Sequence, residues 1–142
     1  MDISIPGVSF TQSDAKNLDG IDDDSITSLS ALCSLEHFGL GRYGDPIDPE
    51  GCFKCFKAIQ KKVSIGGAIY IAVPIGIEGV EFNAHRVFNT RTIIREFSQC
   101  ELKEYSIDYG THIEYNADLD ALNEAKDYEF GLFYFEKKDS FA

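Results

Sequence analysis

The apolar and polar positions of this chain fall into a few short, readable patterns. Val8 to Gln12 alternates apolar and polar residues after Pro6-Gly7, which predicts a short strand. Asp14 to Asp24 is polar and acidic and reads as a loop, with Asp22–Asp24 a solvated turn. Ser25 to Cys33 alternates β-branched and small apolar residues, the pattern of a buried strand. A loop rich in Gly and Pro runs from Gly39 to Pro49. Phe53, Phe56, Ile59 and Val63 then recur at helical spacing. Pro49-Glu50 suits the first turn of that helix, Lys61 and Lys62 suit its last, and Gly66-Gly67 stops it.

Ala68 to Val73 is a continuous apolar run between Gly66-Gly67 and Pro74, as expected of a strand covered on both faces. An irregular stretch, Ile75 to Phe88, follows. Thr90 reads as an N-cap, with Ile93, Ile94 and Phe97 on the apolar face of a short helix. Leu102 to Tyr109 predicts a strand, Gly110 to Lys126 a loop, and Tyr128 to Glu136 a last, aromatic strand. The order β, β, α, β, α, β, β argues for an open α/β sheet ending in a hairpin-like antiparallel pair. With 142 residues and no internal repeat, a single domain over 1–142 is expected.

Charge narrows the range of partners. Thirteen basic against twenty-four acidic residues leave a net charge of −11, a field that repels phosphate backbones and anionic lipid. Nucleic-acid and membrane-surface binding are therefore not expected. No apolar run approaches the ~20 residues that span a bilayer, and Met1-Asp2 opens no signal sequence, so a cytoplasmic protein is expected. The four cysteines fit that address. Cys52 and Cys55 form a Cys-x-x-Cys unit, but no second pair completes a zinc site and no strand leads into it as in thioredoxin-like motifs. They read as helix cysteines, and a redox role is a remote third class. No metal is expected.

Three groups of residues can carry chemistry. Glu36 and His37 fall at the carboxyl end of an inner strand, where open α/β sheets place ligands. A histidine there could take a proton from an acceptor, or both residues could orient the glycine loop by hydrogen bonds. Arg42, Tyr43 and Asp45 lie on that loop; Arg42 could clamp a substrate anion or be held by Asp45 or Asp48. Asn83, His85 and Arg86 could form an opposite, substrate-binding wall. His112 reads as surface, and the stripe Tyr128, Phe130, Phe133, Phe135 as core and sheet edge.

The strand followed by Asp14-Ala15-Lys16-Asn17-Leu18, and Leu35-Glu36-His37 followed by a helix and Gly66-Gly67, resemble the second half of a class I S-adenosylmethionine-dependent methyltransferase. The run Gly39-Leu40-Gly41-Arg42-Tyr43-Gly44-Asp45-Pro46-Ile47 and the segment Phe82-Asn83-Ala84-His85-Arg86 resemble the signatures of the domain of unknown function 268 family. The resemblance extends from about Asp2 to Phe135. It implies a partial Rossmann-like sheet, mostly parallel with an antiparallel C-terminal strand pair, and lacking the superfamily's first strand and glycine-rich loop.

The resemblance also implies roles. Asp2 would grip the ribose hydroxyls of S-adenosylmethionine, and Asp14 and Ala15 would contact the adenine. Leu32 and Glu36 would complete the cofactor site. His37 or His85 would serve as base for methyl transfer to a small acceptor such as a sugar or glycan precursor. Without the glycine loop the cofactor should bind weakly or not at all, which leaves a second reading: a non-catalytic binding or assembly module. The missing central strand leaves Ser25–Cys33 with a bare edge, so a homo-oligomer, a rearranged sheet or a piece of a longer protein is expected.

Overall fold

Strand-forming sequence first pairs at Ile26–Leu32 (β1) in a computed structural model that describes residues 4–81 and 83–140. A single 3-10 turn, Leu35–His37, leads through the Gly-rich loop to helix α1 (Gly51–Lys62). The chain passes straight from α1 into β2 (Val63–Ile75), then through a small ribbon of β3 (Gly79–Val80) and β4 (Arg86–Val87). Helix α2 (Thr90–Glu96), β5 (Cys100–Asp108), β6 (Ile113–Glu114) and β7 (Glu129–Lys137) complete it. Thr90 is the first residue of α2 and not its cap. The cap is Asn89, whose side chain accepts a hydrogen bond from the Arg91 amide.

The main sheet has the order β1-β2-β7-β5-β6. Only β1 and β2 pair in parallel; β7 is antiparallel to both β2 and β5, and β6 is antiparallel to β5. This corrects the expectation of a mostly parallel sheet. β2 and β5 point the same way, but β7 inserts between them, so two antiparallel ladders replace one parallel one. The physical reason is burial. The aromatic strand carries Phe133 and Phe135, and a central position hides both where an edge would expose them. The expected antiparallel pairing of the last two long strands is present.

Alternation places Leu29 and Ala31, Ile69 and Ile71, Phe133 and Phe135, and Tyr105 and Ile107 on one face. Both helices cover it: Cys52, Cys55, Phe56 and Ile59 of α1, with Ile93 of α2 and Phe97 just after it, join these strands in one core. Phe97 stacks on Phe135 with ring centroids 4.8 Å apart. The other face carries Ser30, Leu32, Tyr70, Leu132 and Tyr134, and no described helix lies on it. Leu32 is 60% and Tyr70 42% exposed. β2, expected to be covered on both faces, leaves Tyr70 open on this one while Ala72 and Pro74 further along are buried, and β1 is an edge strand with the bare edge expected.

The segment Val8–Gln12 does not form a strand. It is irregular and exposed, with Phe10 84% accessible. Alternation marks a sequence that can pair, but a strand exists only where a neighbour satisfies its backbone.

Gln60 ties the helices to the sheet. Buried in α1, its amide donates to the Phe56 and Glu96 carbonyls at 3.0 and 2.8 Å and accepts from the Gln99 amide at 3.0 Å. Gln60→Leu strands the Gln99 N–H and the Glu96 carbonyl in an apolar place. Denaturant unfolding should show a loss of about 2–4 kcal/mol; a loss below about 0.5 kcal/mol would mean that these groups find other partners.

Candidate active site

The sheet positions its chemistry through the end of β1. Cys33 turns the chain with φ +52°, and the 3-10 turn that follows carries Glu36 and His37. Gly39, at φ +75°, then closes on Asp48: a Cβ there would overlap the Asp48 carbonyl, so only glycine fits. The Gly39 carbonyl accepts from the Asp48 amide at 2.9 Å, and the Gly39 amide donates to Asp45 at 2.9 Å. Burial pushes the Asp45 carboxyl up, but the amides of Gly39 and Tyr43 outweigh it and hold it below its ordinary range. The Lys54 ammonium, 2.7 Å from Asp48, lowers that carboxyl as well.

The segment after β3 closes the arrangement from the other side. Arg86 is buried and donates to the carbonyls of Phe38 and Pro49, the two ends of the loop. The Ala84 carbonyl accepts from Arg42 Nη1 at 3.0 Å and from His37 Nδ1 at 2.8 Å. A carbonyl only accepts, so Nδ1 of His37 carries the hydrogen and the lone pair of the neutral ring lies on Nε2. Nε2 stands 3.7 Å from Glu36 Oε1.

Glu36 is only 2% exposed, and its Oε2 has no hydrogen-bond partner. Burial pushes its carboxyl above the ordinary range, against smaller opposing effects of its own backbone amide and His37. The His85 ring lies 6.1 Å from that of His37 and 4.7 Å from Tyr128, and its Nε2 is buried without a partner. Burial first, then His37 and Arg42, lower its proton affinity.

An open cleft of about 660 Å³ lies against this turn, lined by Asp14, Ala15, Cys33, His37, Tyr43 and Asp45 among others. Asp14 accepts from the Lys16 amide at 2.9 Å and pairs with its ammonium at 3.3 Å. The Cys55 thiol donates to the Ala15 carbonyl at 3.2 Å and so holds this wall to α1.

The sequence-derived residues therefore divide. Asp14, Ala15, His37 and Tyr43 share the cleft, with Glu36 behind His37. Arg42 lies over the Tyr43 ring at 5.4 Å. Arg86 is a strut under the loop, Asn83 is an exposed turn residue at φ +52°, and Leu32 faces the opposite side of the sheet. Asp2 lies outside the described residues.

Sequence reasoning missed the Ala84 carbonyl, a backbone group with no signature of its own, and Lys16. Cys52 and Cys55 are buried in α1, with thiols pushed up by burial to about 11 and about 12. Such thiols are unreactive at neutral pH. Among the described residues, no group of three or more His, Cys, Asp or Glu side chains could hold a metal ion, and no helix is long and apolar enough to cross a membrane.

Residues 8–130 match the model of a family described as "Caenorhabditis protein of unknown function, DUF268". The chain belongs to this family. No curated protein matches it in sequence. Among solved structures it is similar to SpnF, a [4+2]-cyclase, with a TM-score of 0.62 and 11% identity over 91% of this chain and 56% of that one. It is also similar to a S-adenosylmethionine-dependent methyltransferase of Thermotoga maritima, described as a possible histamine N-methyltransferase. There the TM-score is 0.49, with 15% identity over 87% of this chain and 61% of that one. The chain thus spans just over half the length of SpnF. This family member has an α/β fold with a mixed sheet, similar to that of SpnF.

Glu36 generates a prediction with a definite sign. Its folded-state pKa is raised, so the folded chain holds that proton more tightly than the unfolded one. The contribution is most favourable below the ordinary glutamate range and is lost as pH rises through the folded value. Glu36→Gln removes that loss. Its melting temperature should exceed wild type near about pH 7.5, and the gap should close towards about pH 4. A variant that melts lower at every pH would mean that the carboxylate is net favourable where it sits.

Proposed function

We propose that this chain forms the adenosine and acceptor walls of a site for methyl transfer from S-adenosylmethionine to a small acceptor, such as a sugar or glycan precursor. One observation carries the reading: Asp14-Ala15 and His37 line one cleft at the carboxyl end of β1, in a methyltransferase-like fold. The donor set fits the adenosine end. The Asp14 carboxylate can accept from an exocyclic amine, and no hydrogen bond to the Ala15 amide occurs among the described residues, which leaves that amide for a ring nitrogen. The amino-acid end finds less. Lys16 is already paired with Asp14, and Leu32 points to the other face of the sheet.

When bound, the cofactor supplies an electrophilic methyl carbon on sulfur. This chain's residues align the acceptor against it, and His37 or His85 takes the acceptor's proton. Titration of the chain with S-adenosylhomocysteine, followed by amide NMR, should shift Asp14, Ala15 and Lys16 with millimolar affinity. Calorimetry in the micromolar range should give little heat. Asp14→Ala should weaken binding about tenfold or more through loss of a charge-assisted hydrogen bond. No shift at millimolar ligand would sink the reading; tight stoichiometric binding would show that the amino-acid end has a holder.

A second reading, an assembly module, is favoured by the outer edge of β1. Its seven residues, ITSLSAL, carry no charge and no proline, the usual guards of an edge. In this reading two copies pair through β1 across a two-fold axis. Light scattering at tens of micromolar should then report a dimer, and Ser30→Lys, at an exposed position of the edge strand, should return it to a folded monomer. A monomeric wild type would exclude assembly through this edge.

A further inference from the structure

We propose that Arg42 is an open clamp for an oxyanion at the rim of the cleft, and that the acceptor it receives carries a carboxylate or phosphate group. Its use in acceptor binding rests on the methyl-transfer reading, while the clamp itself stands on geometry. Two carboxylates on its own loop are within reach in sequence, and both are spent elsewhere. Asp45 accepts from the amides of Gly39 and Tyr43, at 2.9 and 3.4 Å. Asp48 accepts from the Lys54 ammonium at 2.7 Å and from the Glu50 amide at 3.1 Å. No carboxylate among the described residues pairs with Arg42, whereas Lys16, Lys54, Arg91 and Lys137 each have one.

The guanidinium is nonetheless held in place. Its Nη1 donates to the Ala84 carbonyl at 3.0 Å, and its carbon lies 5.4 Å from the centroid of the Tyr43 ring. The edge formed by Nε and Nη2 has no partner among the described residues and keeps two parallel donors, the fork that matches an oxyanion bidentately. Arg91 uses that same edge on Asp120, with Nε at 2.9 Å and Nη2 at 2.7 Å. Position makes Arg42 a group of the cleft. Tyr43 lines it, and so does His37, whose Nδ1 shares the Ala84 carbonyl. An oxyanion on Arg42 therefore holds the rest of a small acceptor beside the His37 wall.

Acceptor class follows from what the fork offers. A neutral ligand finds only donors that water already satisfies, and a cation is repelled. An anion gains two charge-assisted hydrogen bonds, each roughly twice as strong as a neutral one. The chain's charge of −11 opposes an anion from afar, but salt screens that field beyond about 8 Å, and contact with a guanidinium is much shorter.

Arginine side-chain NMR tests the clamp without cofactor. Glucose, glucosamine and glucuronate share a ring and differ in charge, and inorganic phosphate supplies the other oxyanion. At tens of millimolar and matched ionic strength, glucuronate or phosphate should shift the Arg42 Nε–H signal and the Tyr43 amide, and glucose and glucosamine should not. The stronger of the two anions names the oxyanion. Arg42→Gln should weaken that binding about tenfold or more, read on the Tyr43 and Gly44 amides. Its melting temperature should stay near wild type, because the Ala84 carbonyl keeps His37 as a donor. Arg42→Lys keeps the charge and loses the fork, and should weaken binding about threefold or more. Silence from both anions, an equal response to glucose, or anion binding that survives Arg42→Gln would overturn the clamp. If an anion shifts Arg42 while S-adenosylhomocysteine never shifts Asp14 or Ala15, the clamp stands and the methyl-transfer reading falls. If S-adenosylhomocysteine shifts Asp14 while both anions leave Arg42 unmoved, the clamp falls alone.

Discussion

Everything in this molecule depends on keeping one face of β2 dry. Ile69, Ile71, Val73 and Ile75 are almost fully buried, and a strand with that much apolar surface needs a neighbour on each edge and cover above. β1 and β7 supply the edges, and α1 supplies the cover. The link from α1 to β2 has no loop: Val63 both caps the helix in an extended conformation and begins the strand. Helix and strand therefore fold back on each other with little freedom, and the Gln60 amide fixes α2 and the start of β5 to the same place. Once α1 is fixed, so is the loop before it, and the loop is what shapes the cleft.

The cleft is held by backbone groups as much as by side chains. The Ala84 carbonyl orients His37 and Arg42 together, and Arg86 joins the two ends of the Gly39–Pro49 loop through their carbonyls. Arg86 is buried, and its guanidinium satisfies its donors on oxygens that carry only partial charge. Such an arrangement is stable when all its members are present and vulnerable to the removal of any one. It explains why polar residues far apart in sequence, from Phe38 to Arg86, behave as a single unit.

How much of this was legible depends on whether a feature is local. The helix from Phe53 to Val63 and the runs at Ala68–Val73 and Leu102–Tyr109 announce themselves, because each buries a face set by its own periodicity. The sheet order does not. β7 enters between β2 and β5 because Phe133 and Phe135 meet partners on three different segments, a property of the whole chain. Val8–Gln12 shows the converse: local alternation with no neighbour to use it. In the site, the place of His37 just beyond a strand end was readable from the pattern, whereas Asp14 and Ala15 were singled out by the family resemblance and the structure places them in the same cleft. Leu32 was lost to parity, since one residue along a strand changes the face. The part played by Arg86 was hidden because its partners are carbonyls, which every residue has.

Net charge and local charge part company here, and the difference decides what the cleft can hold. The chain as a whole carries −11, so its outer field disfavours anions at a distance. Within the cleft the carboxylates already have partners inside the chain. Asp14 faces Lys16, Asp45 accepts from backbone amides, and Arg42 donates to a carbonyl over an aromatic ring. A cationic ligand gains little here, because Asp14 must first give up Lys16 and Asp45 its backbone amides. Selection then falls to hydrogen-bond geometry and shape, for which a rigid, glycine-pinned loop is better suited than a flexible charged arm.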